Sequence, residues 1–178
     1  MEAFAERDIR FVPGSKVSAL DLERRAVVLD DGSELPYDLF LGVPKHRAPD
    51  VVIQSGLTED GYVPVDSATL ETRFAGVYAV GDVATQGTPK AGVFAEGAAR
   101  ALTTSLIARL RGAGPQGVHA GTGSCYIEFG ADRIGRVDID FLSGPAPRGI
   151  YQAPSVALRA EKQHFGASRR ARWFGRTS

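Results

Sequence analysis

The stretch "VYAVGDVATQ", Val77 to Gln86, decides how the chain is read. Small and apolar residues run from Val77 to Val80 and stop at Gly81-Asp82, after which the chain turns polar before a segment of helical spacing. An open α/β sheet offers groups to a ligand in this way, at the carboxyl ends of its strands. Glycine lets the backbone approach closely, and a carboxylate beside it accepts hydrogen bonds from sugar-like hydroxyls. A bare Gly-Asp dipeptide reads first as a turn with an Asx cap. The context on either side therefore carries the argument.

On the C-terminal side the pattern changes period. "AGVFAEGAARALTTSLIARLRG" places Phe94, Ala98, Ala101, Leu102, Leu106 and Leu110 at three- and four-residue steps, which predicts an amphipathic helix from Ala91. Arg109 and Arg111 suit its negative end, and Gly112 is a stop. Gly112 to Gly123 reads as a glycine-rich loop. "CYIEFG" and "RIGRVDIDFLSG" read as strands, "GPAPRGIYQAPS" as a proline-rich connector, and "VALRAEKQHFGASRRARWFG" as one or two amphipathic helical turns. Its basic, aromatic end, Ser168 to Gly175, reads as a docking tail, with contact to anionic lipid as the alternative. Gly112-Ala-Gly-Pro-Gln-Gly117 matches G-x-G-x-x-G literally. That fingerprint needs a strand before it and a helix opening within it, whereas this match follows a helix and contains Pro115.

On the N-terminal side, residues 8–42 read as short strands: "IRFV", "KVSALDL", and two apolar runs flanking the hairpin signal Asp30-Asp31-Gly32. "YDLFLGV", Tyr37 to Val43, reads as a buried strand, and residues 44–60 as a connector with one helical turn. "YVPVD" is a short strand and "FAGVYAVGD" the next buried one.

Composition bounds the function. In 178 residues, 43% are hydrophobic and 24% charged, and 21 basic residues balance 21 acidic ones. Zero net charge argues against bulk nucleic-acid binding. No apolar run approaches the ~18 residues of a membrane span. A single cysteine, Cys125, excludes an intrachain disulfide and makes cytoplasmic the default location. His46, His119 and His164 lack metal-ligand spacing, so no metal site is expected, and no serine sits in a nucleophile elbow.

"TLETRFAGVYAVGDVA", Thr69 to Ala84, resembles the second flavin-binding motif of the flavoprotein disulfide reductase superfamily, whose members carry two dinucleotide-binding domains. With "YDLFLGVPKHRAPDVV" (Tyr37–Val52), "SGL", "GYVPVD" and "PKAGVFAEGAARAL" (Pro89–Leu102), the chain is similar to the branch of sulfide:quinone oxidoreductases and flavocytochrome c sulfide dehydrogenases over roughly residues 5–145. The resemblance implies FAD as cofactor. Asp82 would hold the ribityl chain, Gly81 would permit close approach, and the backbone of Val83 would lie near the phosphate. Lys90, Ala91 and Gly92 would form the helix start that faces the flavin ring, where helix N-terminal amides favour negative charge. Lys90 would add a positive charge there or remain a solvated surface lysine, and Phe94 reads as core. Cys125, in "GSCYIEFG", would join sulfur chemistry beside the flavin, or else is a small buried residue at a strand start. Sulfide redox shuttling normally uses a partner cysteine, which this sequence lacks.

The resemblance further implies an α/β fold with mixed α+β character. This would be a partial two-dinucleotide-binding-domain flavoprotein fold with a β-meander, a long helix after the Gly-Asp motif and a C-terminal β/α region. Residues 1–45 would be the closing strands of the second, NAD-like domain, 46–115 the C-terminal part of the FAD-binding domain, and 116–178 a C-terminal interface or acceptor-site domain. The two Gly-rich fingerprints of the family are absent, so the chain reads as the C-terminal part of a longer flavoprotein. Whether it binds FAD alone becomes a question for measurement. The expected partners are a quinone or other small electron acceptor, a second copy in a homo-oligomer, and a peripheral contact of the C-terminus with the inner membrane face. Two other functions fit the same residues: an NAD(P)H-dependent flavin reductase with a structural Cys125, and a non-catalytic dimerisation or interaction module.

Overall fold

Asp31-Gly32 reverses the chain in the computed structural model, which describes residues 2–114 and 116–175. The Asp31 carboxylate accepts from the amide and hydroxyl of Ser33 at 2.9 and 2.7 Å, closing the turn between β2 (Ala26–Leu29) and β3 (Glu34–Pro36). Strand β1 (Val17–Asp21) lies antiparallel on the other side of β2, from Val17 opposite Leu29 to Asp21 opposite Ala26, with an irregularity between Val17 and Ala19. This meander holds a small core of Ala26, Val27 and Leu29. Arg24 clasps its edge by ion pairs to Asp21 and Glu34 at 2.7 and 2.8 Å. The short helix α1 (Glu2–Ala5) precedes it.

The chain divides into two compact units, Met1–His46 and Arg47–Ser178. The second unit opens with α2 (Asp50–Gln54) and β4 (Val63–Pro64). A three-residue 3₁₀ turn (Gly81–Val83) leads into β5 (Ala84–Thr85), which pairs parallel with β4. Helix α3 (Gly92–Leu110) follows, then the antiparallel sheet β6 (Thr122–Glu128), β7 (Ile134–Asp140), β8 (Arg148–Ser155), and finally α4 (Leu158–Phe174). The fold is thus mixed helix and sheet with a β-meander, a long helix after the Gly-Asp motif and a C-terminal β/α region, as the resemblance implied.

Phe94 and Ala98, 3% and 0% exposed, anchor α3, and Phe94 meets Phe141 edge-on at 5.4 Å. Strand β6 crosses this helix so closely that a Cβ on Gly123 would lie 2.9 Å from Val93 Cγ1, so only glycine fits without a shift. Ser105 Oγ donates to the Gly117 carbonyl and accepts from the Gly117 amide, at 2.8 and 3.0 Å, strapping the loop to α3. Leu110 departs from the expected apolar face and is exposed. Pro115, inside the rejected G-x-G-x-x-G match, lies outside the described residues.

Several other expectations are corrected. Residues 9–12 and 37–43 are not strands; Leu39, Leu41 and Val43 are 75%, 85% and 86% exposed. "FAGVYAVGD" is not a buried strand either. Its one bridge joins Tyr78 to Glu71, and Phe74 and Val77 are exposed. A buried strand needs flanking strands for its N–H and C=O groups and cover on both faces, and apolar composition alone supplies neither. The supposed connector contains β8 instead. Its proline, Pro154, is tolerated because β8 is an edge strand and its pairing with β7 is irregular between Ile134 and Arg136. The expected one or two C-terminal turns are one 17-residue helix, α4, ending at Gly175 with φ of 64°.

His119 is buried, its Nε2 has no hydrogen-bond partner among the described residues, and burial pulls its pKa below the ordinary 6.5. Below 6.5 the unfolded chain binds this proton more readily than the folded chain does, so stability falls as the pH drops through 6.5 and is little affected by this group above it. Urea midpoints measured across that range should show the loss, and His119→Gln should flatten it.

Candidate functional site

Gly81 has a φ of +78°, open to glycine at no steric cost, and this starts the turn on which Asp82 stands. The turn is closed by the Ala84 amide donating to the Gly81 carbonyl. Val63 and Ala84, opposite each other in the β4–β5 pair, are buried and fix its exit. Its entry is extended chain at Val80. A Cβ on Gly81 would meet Ala95 Cβ at 3.6 Å, so the turn rests on the first turn of α3.

Helix α3 begins at Gly92 with Ala91 in the N-cap position. Among the described residues no side chain caps this end, and its first turn holds no acidic residue. The first amides of a helix are unsatisfied donors at the positive end of its dipole. The structure therefore brings Gly81, Asp82 and Val83 together with Lys90, Ala91 and Gly92. The Asp82 side chain is exposed and makes no hydrogen bond or ion pair among the described residues.

Lys90 is occupied. Its Nζ donates to the carbonyls of Asp82 at 2.7 Å and Ala84 at 3.2 Å, and lies 3.8 Å from the centre of the Tyr62 ring. Burial lowers its pKa, and the nearby Asp82 charge opposes that shift. Thr69, from the threonine-bearing approach to the motif, is spent locally. Its amide and hydroxyl donate to the Asp66 carboxylate at 2.7 and 2.9 Å, which holds Asp66 below the ordinary carboxylate range.

Cys125 is neither buried nor at a strand start. It is exposed, on β6 opposite Val137. It shares a sheet face with Gly123, two residues away, and Gly123 abuts Val93 and Phe94. Among the described residues no cluster of three or more His, Cys, Asp or Glu side chains suits a metal ion, and no helix is long and apolar enough to cross a membrane.

Sequence reasoning missed two participants. Tyr62 faces Lys90 from 28 positions away, a distance no local pattern bridges. Glu96 is nearly buried and pairs with Arg169 at 2.8 Å and with Arg172, tying α4 to α3. Between these helices lies a groove of about 580 Å³, lined by Gly92, Ala95, Ala99, Arg100, Thr103 and Trp173 among others.

Comparison with known proteins supplies context for this geometry. The family model described as "Pyridine nucleotide-disulphide oxidoreductase" matches residues 1–101. No curated protein matches. The structure is similar to the sulfide:quinone oxidoreductase from the hyperthermophilic bacterium Aquifex aeolicus, with a TM-score of 0.76 and 21% identity over 96% of this chain and 44% of that one. It is also similar to a chain of the Tetrahymena thermophila mitochondrial ATP synthase F1Fo tetramer, with a TM-score of 0.63 and 20% identity over 79% of this chain and 35% of that one. At such identities the likeness is one of fold. The chain spans less than half the length of either structure.

The exposure of Cys125 has a direct consequence. A thiol-specific reagent should label the native chain at one site per molecule without denaturant, and Cys125→Ser should abolish the labelling. A thiol titrated only after unfolding would mean that β6 is covered.

Proposed function

The chain belongs to the pyridine nucleotide-disulphide oxidoreductase family, and from that premise we propose that residues 81–92 form the flavin-facing wall of an FAD-dependent oxidoreductase. One observation carries the reading: an unpaired carboxylate, Asp82, stands on a glycine turn against the uncapped start of a 19-residue helix. The pairing suits a ligand with hydroxyl groups at one point and an electron-rich edge at another. The ribityl chain and ring of FAD have that character.

In this reading Asp82 accepts hydrogen bonds from ribityl hydroxyls. Gly81 keeps the backbone low enough for them to approach. The amides at Gly92 and Val93 favour negative charge on the ring edge they face. When bound, the flavin supplies reversible two-electron chemistry. The protein's part is to orient it and to stabilise its reduced form electrostatically.

The acceptor proposed is a quinone or another flat, apolar molecule. The groove beginning at Gly92, with Ala95, Ala99 and Trp173 in its lining, supports that choice. Cys125 is proposed for sulfur chemistry with a sulfide-like donor; its exposure on the Gly123 face of β6 keeps it accessible to a small reductant. We propose a homo-oligomer as the assembled form, because Leu39, Leu41, Val43, Phe74 and Val77 present apolar surface that a second copy would cover.

Two measurements test these readings. After mixing with FAD and desalting, the chain should retain visible flavin absorbance, and Asp82→Ala should lose it while keeping the stability of the parent within about 0.5 kcal/mol, as expected at an exposed, unpartnered position. Absorbance that survives Asp82→Ala overturns the assignment of this carboxylate. Sedimentation should give a mass above that of one 18.9 kDa chain, and a monomer would overturn the oligomer.

A further inference from the structure

The Gly81–Val83 turn has little backbone support of its own. One hydrogen bond closes it, from Ala84 to Gly81, and the chain entering it belongs to no strand, being held by the Ala79 amide to the Leu70 carbonyl at 3.1 Å and by the isolated Tyr78–Glu71 bridge. Its exit strand is two residues long. Such a turn, left alone, samples many shapes. Lys90 supplies what the backbone does not. The two carbonyls it binds, on Asp82 and Ala84, flank Val83, so the chain is wrapped about a single ammonium.

That ammonium is itself held. Tyr62 immediately precedes β4, whose Val63 pairs with Ala84, so ring and turn belong to one two-stranded unit. The ring centre lies 3.8 Å from Nζ, within the range of cation–π attraction. Asp82 is the charged group acting on the ammonium, and its attraction favours the same arrangement. The Asp82 residue thus gives its carbonyl to Lys90 while its carboxylate stays open.

We propose that Lys90 and Tyr62 are positioning residues: the ammonium, seated on the Tyr62 ring, ties the carbonyls of Asp82 and Ala84 and fixes the turn in the shape that presents the Asp82 carboxylate to a hydroxyl-bearing ligand. Naming that ligand as flavin rests on the function proposed above. The clamp itself rests only on the geometry of residues 62, 81–84 and 90.

Nuclear magnetic resonance on the full chain, without flavin, tests the clamp directly. The Lys90 ε-methylene protons should be shifted upfield by the Tyr62 ring, and the Ala84 amide should be protected from exchange. Lys90→Met should speed Ala84 exchange by about tenfold or more. Tyr62→Leu should abolish the upfield shift and speed exchange, whereas Tyr62→Phe, which keeps the ring, should preserve both. Retention of FAD, used as probe in parallel, should fall in Lys90→Met and Tyr62→Leu and persist in Tyr62→Phe, with urea midpoints showing that each variant is folded. Unchanged Ala84 exchange in Lys90→Met, or no upfield shift in the parent chain, overturns the clamp. If the exchange and shift changes appear but the parent retains no FAD, the clamp stands and the flavin reading alone fails.

Discussion

The close packing of the first two turns of α3 is the constraint on which the second unit depends. Gly81 rests against Ala95 from one side, and Gly123 of β6 abuts Val93 and Phe94 from another. Phe141, just past β7, stacks edge-on against Phe94. The β6 approach requires glycine, since a Cβ on Gly123 would lie 2.9 Å from Val93 Cγ1, whereas at Gly81 it is the positive φ that calls for glycine. Burying a phenylalanine contributes roughly 1.5–3 kcal/mol, and its edge-to-face contact about 0.5–1.5 more. The turn that carries Asp82 and the sheet that carries Cys125 are therefore located by the same short piece of helix.

Charge then sets orientation. Glu96 holds Arg169 and Arg172, fixing the C-terminal half of α4. Toward its N-terminus, Glu161 pairs with Arg136 at 2.5 Å and accepts from the Tyr126 hydroxyl, while Arg136 also pairs with Asp138 at 2.7 Å. Burial, then the hydrogen bond to Glu161, pushes the Tyr126 pKa up to about 12. Partly exposed pairs of this kind contribute at most about 1 kcal/mol each. They do not rival the burial of Phe94 and Ala98 as a source of stability. They choose which way α4 lies on the sheet, and thereby bring Trp173 to the groove beside α3.

The parts of the fold legible in the sequence were those written in local chemistry. Asp31-Gly32 announced its hairpin, the spacing from Phe94 announced α3, and Gly112 its end. The segments that depart from expectation share one property: apolar composition without anything packed over it. Leu39, Leu41, Val43 and Val77 have the composition of buried strands, yet burial depends on what packs against them, which is not a local property. Residues 148–155 failed in the opposite sense. Prolines and glycines suggested a connector, but an edge strand tolerates both where the ladder is irregular. At the candidate site, Gly81 and Asp82 could be read because their pattern is contiguous. Tyr62 and Glu96 act on residues far along the chain and left no local mark.

The opening stretch ends on glycine and aspartate because two requirements meet there. A carboxylate offered to a ligand must be free of protein partners, yet a free side chain on a loose turn presents no fixed geometry. The chain separates the two tasks. Glycine's positive φ and the contact with Ala95 set the path of the turn, the buried pair Val63 and Ala84 fixes its exit, and Lys90 gives its hydrogen bonds to the carbonyl oxygens of Asp82 and Ala84. Each constraint acts on the backbone, so the Asp82 carboxylate remains uncommitted while its attachment point is held. The same separation operates at the start of α3, where the turn braces the helix and no acidic side chain neutralises its first amides. The donors and the acceptor are left open on one side by interactions made entirely on the other, which is the arrangement a preorganised binding wall requires.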